Sequence, residues 1–234
     1  RINMARKHAD TLTDKKLKQL LDDVTGTNPQ PEVMRAAFML SFYAGLRVQE
    51  IAGLDWRLNV LNDDGSFKTT DFPIYDGTGE AVRDTDGSLV MRPVEVLHIG
   101  NNIGKYGKSR EIPLHAALKN ALQELFDHLR AGRGFPSEPS VIPSAKNGAS
   151  QRLVQRAHAL KMRINRIYKS LGLEGCSSHS GRRSFVTRGA TRANTVGQSL
   201  RDVQVLAGHR NLVTTQAYID VSDRHQDLIN AMWK

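Results

Sequence analysis

Apolar side chains recur at helical spacing in the first and last parts of this chain, but the spacing disappears between residues 57 and 113. Because residues three or four apart share one face of an α-helix, the outer segments predict helices that pack through one side. The middle segment instead alternates turn signals such as NDDGS and DTDGS with short β-prone runs such as RPVEVLHIG and SREIPL. The pattern therefore predicts an α+β fold that is mainly helical and carries one small antiparallel sheet.

Capping residues and glycines indicate where the helices begin and end. Thr13 is expected to cap the first helix, and Pro31 suits the first turn of a second helix that stops near Gly45, where a short third helix follows. Apolar stripes predict further helices over residues 115–131, 151–171, 181–193, 199–207, 212–219 and 223–233. The Pro/Gly/Ser-rich stretch after residue 132 is expected to cross between two halves of one domain.

The chain is basic, with 33 Lys and Arg against 24 Asp and Glu, a net charge of +9. This excess favours a polyanionic partner, and nucleic acid over a membrane, because no basic amphipathic helix with aromatic anchors is evident. Charge alone equally fits a basic protein without such a partner. The single cysteine, Cys176, excludes an internal disulfide framework and suits a reducing cytoplasm.

Two segments in the first half place basic side chains where the backbone is expected to turn. In AGLRVQEIAGL, Arg47 opens a helix beside free backbone N–H groups, an arrangement that favours an anion. Taken alone, Arg47 is more simply explained by an ion pair with Glu50 or Glu32. In GKYGKSREIPL, Lys105 and Lys108 flank the turn of a hairpin, where lysines are commonly solvent-exposed.

Two segments in the last third combine basic and nucleophilic residues. In SSHSGRRSFVTRG, His179 and Arg182 are three residues apart and point to one side of a helix N-terminus, unless they only cap that helix. In LAGHRNLVTTQAYI, His209 lies in a turn and Tyr218 is expected two turns along the next helix, on the face of Thr214. A buried structural tyrosine is the alternative for Tyr218 taken alone.

Together the four segments, in this order, resemble the signature of the tyrosine recombinase (phage integrase) family. AGLRVQEIAGL resembles its first arginine box, HSGRRSFVTRGA its second, and LAGHRNLVTTQAYI its Gly-His and Tyr segment. The resemblance runs from about residue 10 to the C-terminus and implies the tyrosine recombinase catalytic-domain fold, in which a small antiparallel sheet carries a hairpin lysine. The catalytic residues of the family fall on Arg47, Lys105, His179, Arg182, His209 and Tyr218.

The resemblance implies a site-specific DNA recombinase, or integrase, that cleaves and rejoins DNA strands through a 3′-phosphotyrosyl intermediate on Tyr218. Attack on a phosphodiester adds negative charge to the non-bridging oxygens, and the guanidinium groups of Arg47 and Arg182 are expected to meet it with bidentate hydrogen bonds. The bond energy is kept in the phosphotyrosyl link, so neither ATP, a metal ion nor another cofactor is expected.

The remaining family residues are assigned to proton transfer and phosphate binding. His179 is the candidate base for the tyrosine, and His209 is expected to hydrogen-bond a phosphate oxygen. Lys105 is expected to protonate the leaving 5′-oxygen as the general acid, with Lys108 as the second choice. Further DNA contacts are expected at basic residues beside these positions, namely Lys108, Arg110, Arg183 and Arg210.

The chain departs from the family pattern in several places. Arg183 stands where many relatives carry a histidine, and the stretch between Arg47 and Lys105 is longer than usual, with extra hairpins open to a DNA or a subunit contact. Residues 1–11 are expected to be a linker or arm from a missing N-terminal DNA-binding domain, and residues 12–234 the catalytic domain.

The resemblance also implies partners and leaves other functions to compare. We expect a double-stranded DNA recombination site, a homo-oligomer that forms a tetrameric synapse, exchange of the helix at 223–233 with a neighbouring protomer, and an accessory DNA-bending protein, without a membrane. The expected location is cytoplasmic and nucleoid-associated, in a bacterial, archaeal or viral setting such as a phage or mobile element. The alternatives are a non-catalytic DNA-binding protein of the same fold and a type IB topoisomerase.

Overall fold

The computed structural model describes residues 9–104, 109–132, 134–144 and 152–218. In these ranges the α-helices are α1 (Asp14–Thr27), α2 (Pro31–Tyr43), α3 (Val48–Gly53), α4 (Ala116–Arg130), α5 (Leu153–Ser170), α6 (Ser180–Arg192), α7 (Leu200–Ala207) and α8 (Leu212–Gln216). The strands are β1 (Thr69–Pro73), β2 (Met91–Ile99) and β3 (Arg110–Pro113). The predicted α+β, mainly helical fold is confirmed. No described helix has the length and apolar character that a membrane span requires.

Local signals in the sequence account for the first helices. The Thr13 hydroxyl caps α1 by accepting a hydrogen bond from the backbone N–H of Lys16 at 3.2 Å. Helix α2 begins at Pro31 and ends before Gly45, which adopts a left-handed backbone with φ of 62°. A Cβ atom on Gly45 would lie 2.4 Å from the Phe185 ring, so this glycine also lets the turn approach α6 closely.

The core is built around α2, whose sides face three other helices. It packs against α1, α4 and α6, and every residue from Val33 to Phe42 except Arg35 is buried. A glycine in the first turn of α6 makes one of these contacts close, since a Cβ atom on Gly181 would lie 2.6 Å from the Ser41 hydroxyl. The N-terminal end of α6 is therefore held against the end of α2.

The sheet has the order β1-β2-β3, and both strand pairs are antiparallel. Strand β2 pairs Val96 with Pro113 and Ile99 with Arg110 across β3. The expected turn at Tyr106-Gly107 connects these strands but lies outside the described residues. The prediction of sheet structure from residue 57 is wrong at its start, because Trp56–Val60 form a π-helical turn that begins at the capping carboxylate of Asp55.

The extra hairpins are closed by aspartates that accept hydrogen bonds within their own turns. The carboxylates of Asp64, Asp76 and Asp84 each accept from the backbone N–H two residues ahead, as in an Asx turn. The turns confirm the prediction that NDDGS and DTDGS are hairpin signals. Residues 61–91 hold seven carboxylates and two basic side chains, whereas the whole chain is basic.

The end of the described chain differs from its predicted form. Helix α8 ends at Gln216, so Tyr218 lies in the turn after the helix rather than two turns along it. The fully buried side chain of α8 is Thr215, and Asn211 occupies the N-cap position without a side-chain hydrogen bond. The predicted helix at 223–233 lies outside the described residues.

The described part of the predicted linker lies against the helical body. The backbone N–H of Asp10 donates to the carbonyl of Gly175 at 2.9 Å, and that of Leu12 donates to the Ser184 hydroxyl at 2.6 Å. Leu12 is 2% exposed and belongs to the main core. These contacts attach Asp10, in the predicted linker, to the loop between α5 and α6, and Leu12, the first residue of the predicted catalytic domain, to α6.

Candidate active site

Three arginines donate to three consecutive carbonyls at the C-terminal end of α7. Arg110 donates from Nε to Leu206 at 3.0 Å, Arg182 from Nη2 to Ala207 at 2.7 Å, and Arg47 from Nη2 to Gly208 at 3.2 Å. The last carbonyls of an α-helix lack partners within the helix and carry partial negative charge, so they attract cations. The end of α7 thus gathers guanidinium groups from β3, α6 and the start of α3.

Arg182 is the most deeply placed of the three predicted cations. It is 3% exposed, and its Nη1 donates to the carbonyl of Gly45, so it joins the turn after α2 to the end of α7. Burial lowers the pKa of Arg182, as does the charge of Arg47, whereas Glu50 and Tyr218 raise it. A guanidinium remains protonated at neutral pH, so a fixed positive charge lies at this point.

Arg47 is the more accessible of the two predicted phosphate ligands. Its side chain is 20% exposed and occupies the N-cap position of α3. Its Nη1 donates to Glu50 Oε1 at 3.1 Å and its backbone N–H to Glu50 Oε2 at 2.8 Å. The ion pair with Glu50 is therefore present, and Arg47 still faces the same turn as Arg182.

Glu50 is a site residue that the sequence indicated only as an ion-pair partner. Its side chain is 1% exposed and accepts from both Arg47 and Arg110. Burial raises the pKa of this carboxyl, but the hydrogen bonds and charges of Arg110 and Arg47 outweigh burial and hold the pKa below its usual value. The signal available was the spacing of Glu50, three residues after Arg47 and inside a buried helix.

His209 lies in the turn between α7 and α8, directly after Gly208, whose φ of 63° ends α7. The ring is in a buried residue, 8% exposed, and its Nδ1 lies 2.9 Å from the Thr215 hydroxyl. Burial, followed by the charges of Arg182, Arg47 and Arg110, lowers the pKa of His209 to about 4. The imidazole is therefore neutral at pH 7, and a ligand would meet it through Nε2.

Tyr218 packs beside His209 and the second arginine box. Its ring stacks on the His209 ring, with centroids 5.6 Å apart and planes inclined by 25°, and the guanidinium carbon of Arg183 lies 5.8 Å from its centroid. The Tyr218 carbonyl accepts from the Thr187 hydroxyl at 3.3 Å. Because Tyr218 also influences the pKa of Arg182, its phenol lies within electrostatic reach of a buried guanidinium.

His179 occupies the N-cap position of α6, one turn before Arg182, as the spacing predicts. Desolvation lowers its pKa, and the charges of Arg182, Lys161 and Arg47 lower it further. The imidazole is therefore favoured in its neutral form at pH 7, which is the form that accepts a proton.

The predicted general acids and DNA contacts lie partly outside and partly within the described residues. Lys105 and Lys108 lie outside the described residues. Arg210 is exposed beside a cleft of about 220 Å³ that Arg110 and His209 also line. The side chain of Arg110 is 6% exposed and its guanidinium binds Glu50 and the end of α7, so the expected contact of Arg110 with DNA stays a prediction.

Arg110 could have been recognised as inward-facing from the strand pattern. Arg110 and Ile112 are two residues apart in β3 and share one face of the strand, and Ile112 is 2% exposed. A charged residue on the core side of a strand needs a buried partner, which here is Glu50.

Taken together, these elements can bind and polarise a tetrahedral anion. Two guanidinium groups, a neutral imidazole and a phenol converge on the turn after α7, and the cations are held by buried hydrogen bonds rather than by solvent. Fixed donors of this kind stabilise charge that develops in a reaction.

Comparison with known proteins assigns this arrangement to a family. The model of the phage integrase family matches residues 10–225. The chain is 33% identical over 200 residues to tyrosine recombinase XerC of Herpetosiphon aurantiacus, covering 84% of this chain and 51% of that protein. It is 31% identical over 192 residues to XerC of Actinobacillus succinogenes, covering 82% and 50%. The chain thus spans about half the length of these curated relatives.

Solved structures share the fold. XerA recombinase matches with a TM-score of 0.59 at 18% identity, over 97% of this chain and 66% of that chain. The Tn1549 transposon integrase in complex with circular intermediate DNA matches with a TM-score of 0.61 at 17% identity, over 98% and 68%. The predicted tyrosine recombinase catalytic-domain fold is confirmed, and this chain belongs to the phage integrase family.

Proposed function

We propose that this chain is the catalytic part of a tyrosine-type site-specific DNA recombinase, with residues 12–234 as the catalytic domain. The observation that carries the proposal is the convergence of Arg47, Arg182 and His209 on one turn, with Tyr218 stacked against the histidine. A structural tyrosine would need neither guanidinium nearby, whereas a nucleophile that attacks a phosphodiester needs both.

In the proposed reaction the Tyr218 oxygen attacks a DNA phosphorus atom and the bond to the 5′-oxygen breaks. The products are a 3′-phosphotyrosyl link and a free 5′-hydroxyl, so the step conserves one phosphodiester bond. Arg47 and Arg182 donate to the non-bridging oxygens as their charge increases, because their positions are set before DNA binds. A 5′-hydroxyl from a second strand reverses the attack and completes the exchange.

Proton transfer is assigned to the neighbouring groups. Neutral His179 accepts the phenol proton of Tyr218, and Lys105 supplies a proton to the leaving 5′-oxygen. Neutral His209 donates from Nε2 to a phosphate oxygen, which requires that Nδ1 accept the hydroxyl proton of Thr215 across their 2.9 Å contact. The contact between His209 and Thr215 is therefore compatible with the tautomer that can bind phosphate.

The proposed partners are a double-stranded recombination site and further copies of this chain. The basic charge of +9 and the complex of the Tn1549 integrase with circular intermediate DNA support the DNA partner. We infer a tetrameric synapse joined through residues 223–233, an accessory DNA-bending protein, and a nucleoid-associated cytoplasmic location. Deletion of residues 222–234 should abolish synapsis and spare duplex binding, as measured by gel shift.

A suicide substrate with a nick near the cleavage site tests the activity. The wild-type chain should form a covalent protein–DNA adduct without metal or ATP, and Tyr218→Phe should bind the same DNA without forming the adduct. Absence of an adduct with the wild-type chain would favour a non-catalytic DNA-binding protein. Adducts on any duplex, with relaxation of supercoiled DNA, would favour a type IB topoisomerase.

A further inference from the structure

Arg110 reaches Glu50 from the sheet, whereas Arg47 reaches it from the start of α3. It is the first residue of β3, two positions after the segment 105–108, and its side chain is 6% exposed. Its Nη1 and Nη2 donate to the two oxygens of Glu50 at 3.0 Å each, a bidentate pair. Its Nε reaches the end of α7 at Leu206.

Each oxygen of Glu50 is shared between Arg110 and Arg47. Oε1 accepts from Nη1 of both arginines, at 3.0 Å from Arg110 and 3.1 Å from Arg47. Oε2 accepts from Arg110 Nη2 and from the backbone N–H of Arg47. One buried negative charge is thus balanced against two positive charges, which leaves a net charge of one for an incoming phosphate.

Without Arg110, Glu50 and Arg47 would form a neutral buried pair. The carboxylate would lose its bidentate partner and attract the Arg47 guanidinium more strongly, because opposite charges interact strongly when poorly solvated. Arg47 would then be turned toward Glu50 and away from the turn it shares with Arg182. The charge of Arg110 therefore keeps that of Arg47 available.

The turn that carries His209 is shaped around the same guanidinium. A Cβ atom on Gly208 would lie 2.8 Å from Arg110 Nη1, so the glycine leaves room for Arg110. The carbonyls of Leu206 and Gly208 accept from Arg110 and Arg47, respectively. Arg110 thus contacts both Glu50, which binds Arg47, and the end of α7 that precedes His209.

We propose that Arg110 is a positioning residue for strand cleavage, which holds Glu50 and thereby keeps Arg47 directed at the scissile phosphate. The proposal rests on the proposed function and adds a role to a residue whose side chain binds Glu50 and the end of α7. It also links the strand that follows residues 105–108 to the position of Arg47 and of the turn at Gly208.

Arg110→Gln tests the proposal through binding and cleavage measured separately on the suicide substrate. Duplex affinity should change by about twofold or less, whereas the adduct should form about 10- to 100-fold more slowly, the range expected when a buried charged group loses its partner. The matched control is Arg57→Gln, which removes an exposed ion pair with Asp63 at 3.1 Å and should leave both quantities unchanged.

The pH profile separates positioning from a general structural role. The charged and titratable groups that face Glu50 are Arg47, Arg110, Arg182 and His209, from α3, β3, α6 and the turn after α7. Loss of Arg110 removes the largest influence that lowers the Glu50 pKa, so the pKa rises. Because protonation removes the negative charge that draws Arg47 toward Glu50, the slowing of cleavage in Arg110→Gln relative to the wild-type chain should decrease as the solution is acidified.

A double-mutant cycle with Glu50→Gln completes the test. If Arg110 acts through Glu50, Arg110→Gln should slow cleavage much less in the Glu50→Gln background than in the wild-type background. Equal slowing in both backgrounds, or wild-type cleavage and pH dependence in a folded Arg110→Gln, would overturn the proposal. Should Arg110→Gln fail to fold, Arg110→Lys, which keeps the charge without the bidentate geometry, must show the slowed cleavage. A wild-type chain without an adduct would instead refute the proposed function.

Discussion

Replacement of Thr215 by valine removes the hydroxyl that contacts His209 while keeping the shape of a fully buried side chain. Thr215 is 0% exposed, His209 is 8% exposed, and Oγ1 lies 2.9 Å from Nδ1. A buried nitrogen that loses its hydrogen-bond partner costs about 1–3 kcal/mol. We therefore expect Thr215→Val to lower the free energy of unfolding by that amount in urea denaturation.

The same substitution should slow adduct formation, because the imidazole loses the hydrogen bond that holds its ring in place. If the loss of about 1–3 kcal/mol is expressed in the transition state, cleavage slows by roughly 5- to 150-fold at unchanged duplex affinity. Thr214→Val is the matched control, since Thr214 is the exposed neighbour on α8. Identical stability and cleavage rates for Thr215→Val and Thr214→Val would refute the role of this contact.

Two further predictions concern the turn after α7. Gly208→Ala should lower the free energy of unfolding by more than the roughly 1–2 kcal/mol that left-handed backbone strain costs, because the added methyl also contacts Arg110. The control is Gly79→Ala, where φ is 88° and the surrounding space is open, so denaturation of this variant measures the strain alone. The His209 pKa of about 4 lies below that of an unfolded histidine near 6.5, so the unfolded state binds more protons between these values. The free energy of unfolding should therefore decrease as the pH is lowered from about 6.5 to about 4, by at most about 3 kcal/mol. His209→Asn should remove that pH dependence.

The boundaries of the first helices could be predicted from the sequence because they depend on local chemistry. The Thr13 cap, the proline that starts α2 and the glycine that ends it each act within one turn of the chain, and the structure places these boundaries as predicted. The π-helical turn at Trp56–Val60 was not predicted, because it is held by Asp55 and by burial of Trp56 rather than by periodicity. The sequence did not predict the early end of α8, because the buried residue of this helix is the polar Thr215, which contacts His209 and gives no apolar stripe.

The candidate site was only partly accessible from local patterns. Arg47, His179, Arg182, His209 and Tyr218 were each recognised from the order of the motifs, and their roles remain proposals. The sequence suggests Arg110 only as a DNA contact, because a basic charge says nothing about the direction in which the side chain points. Its partner Glu50 is 60 residues away in the sequence and comes within hydrogen-bond distance only when β3 packs beside α3 and α7.

The sequence by itself determined the helical framework, the small sheet and the kinds of side chain available for phosphate chemistry, since capping, periodicity and residue type are properties of short segments. Only the tertiary structure decided that three arginines donate to three consecutive carbonyls at the end of α7, and that a buried glutamate accepts from two of these arginines. The physical reason is that the direction of a charged side chain depends on partners distant in the chain, and burial makes those partners obligatory.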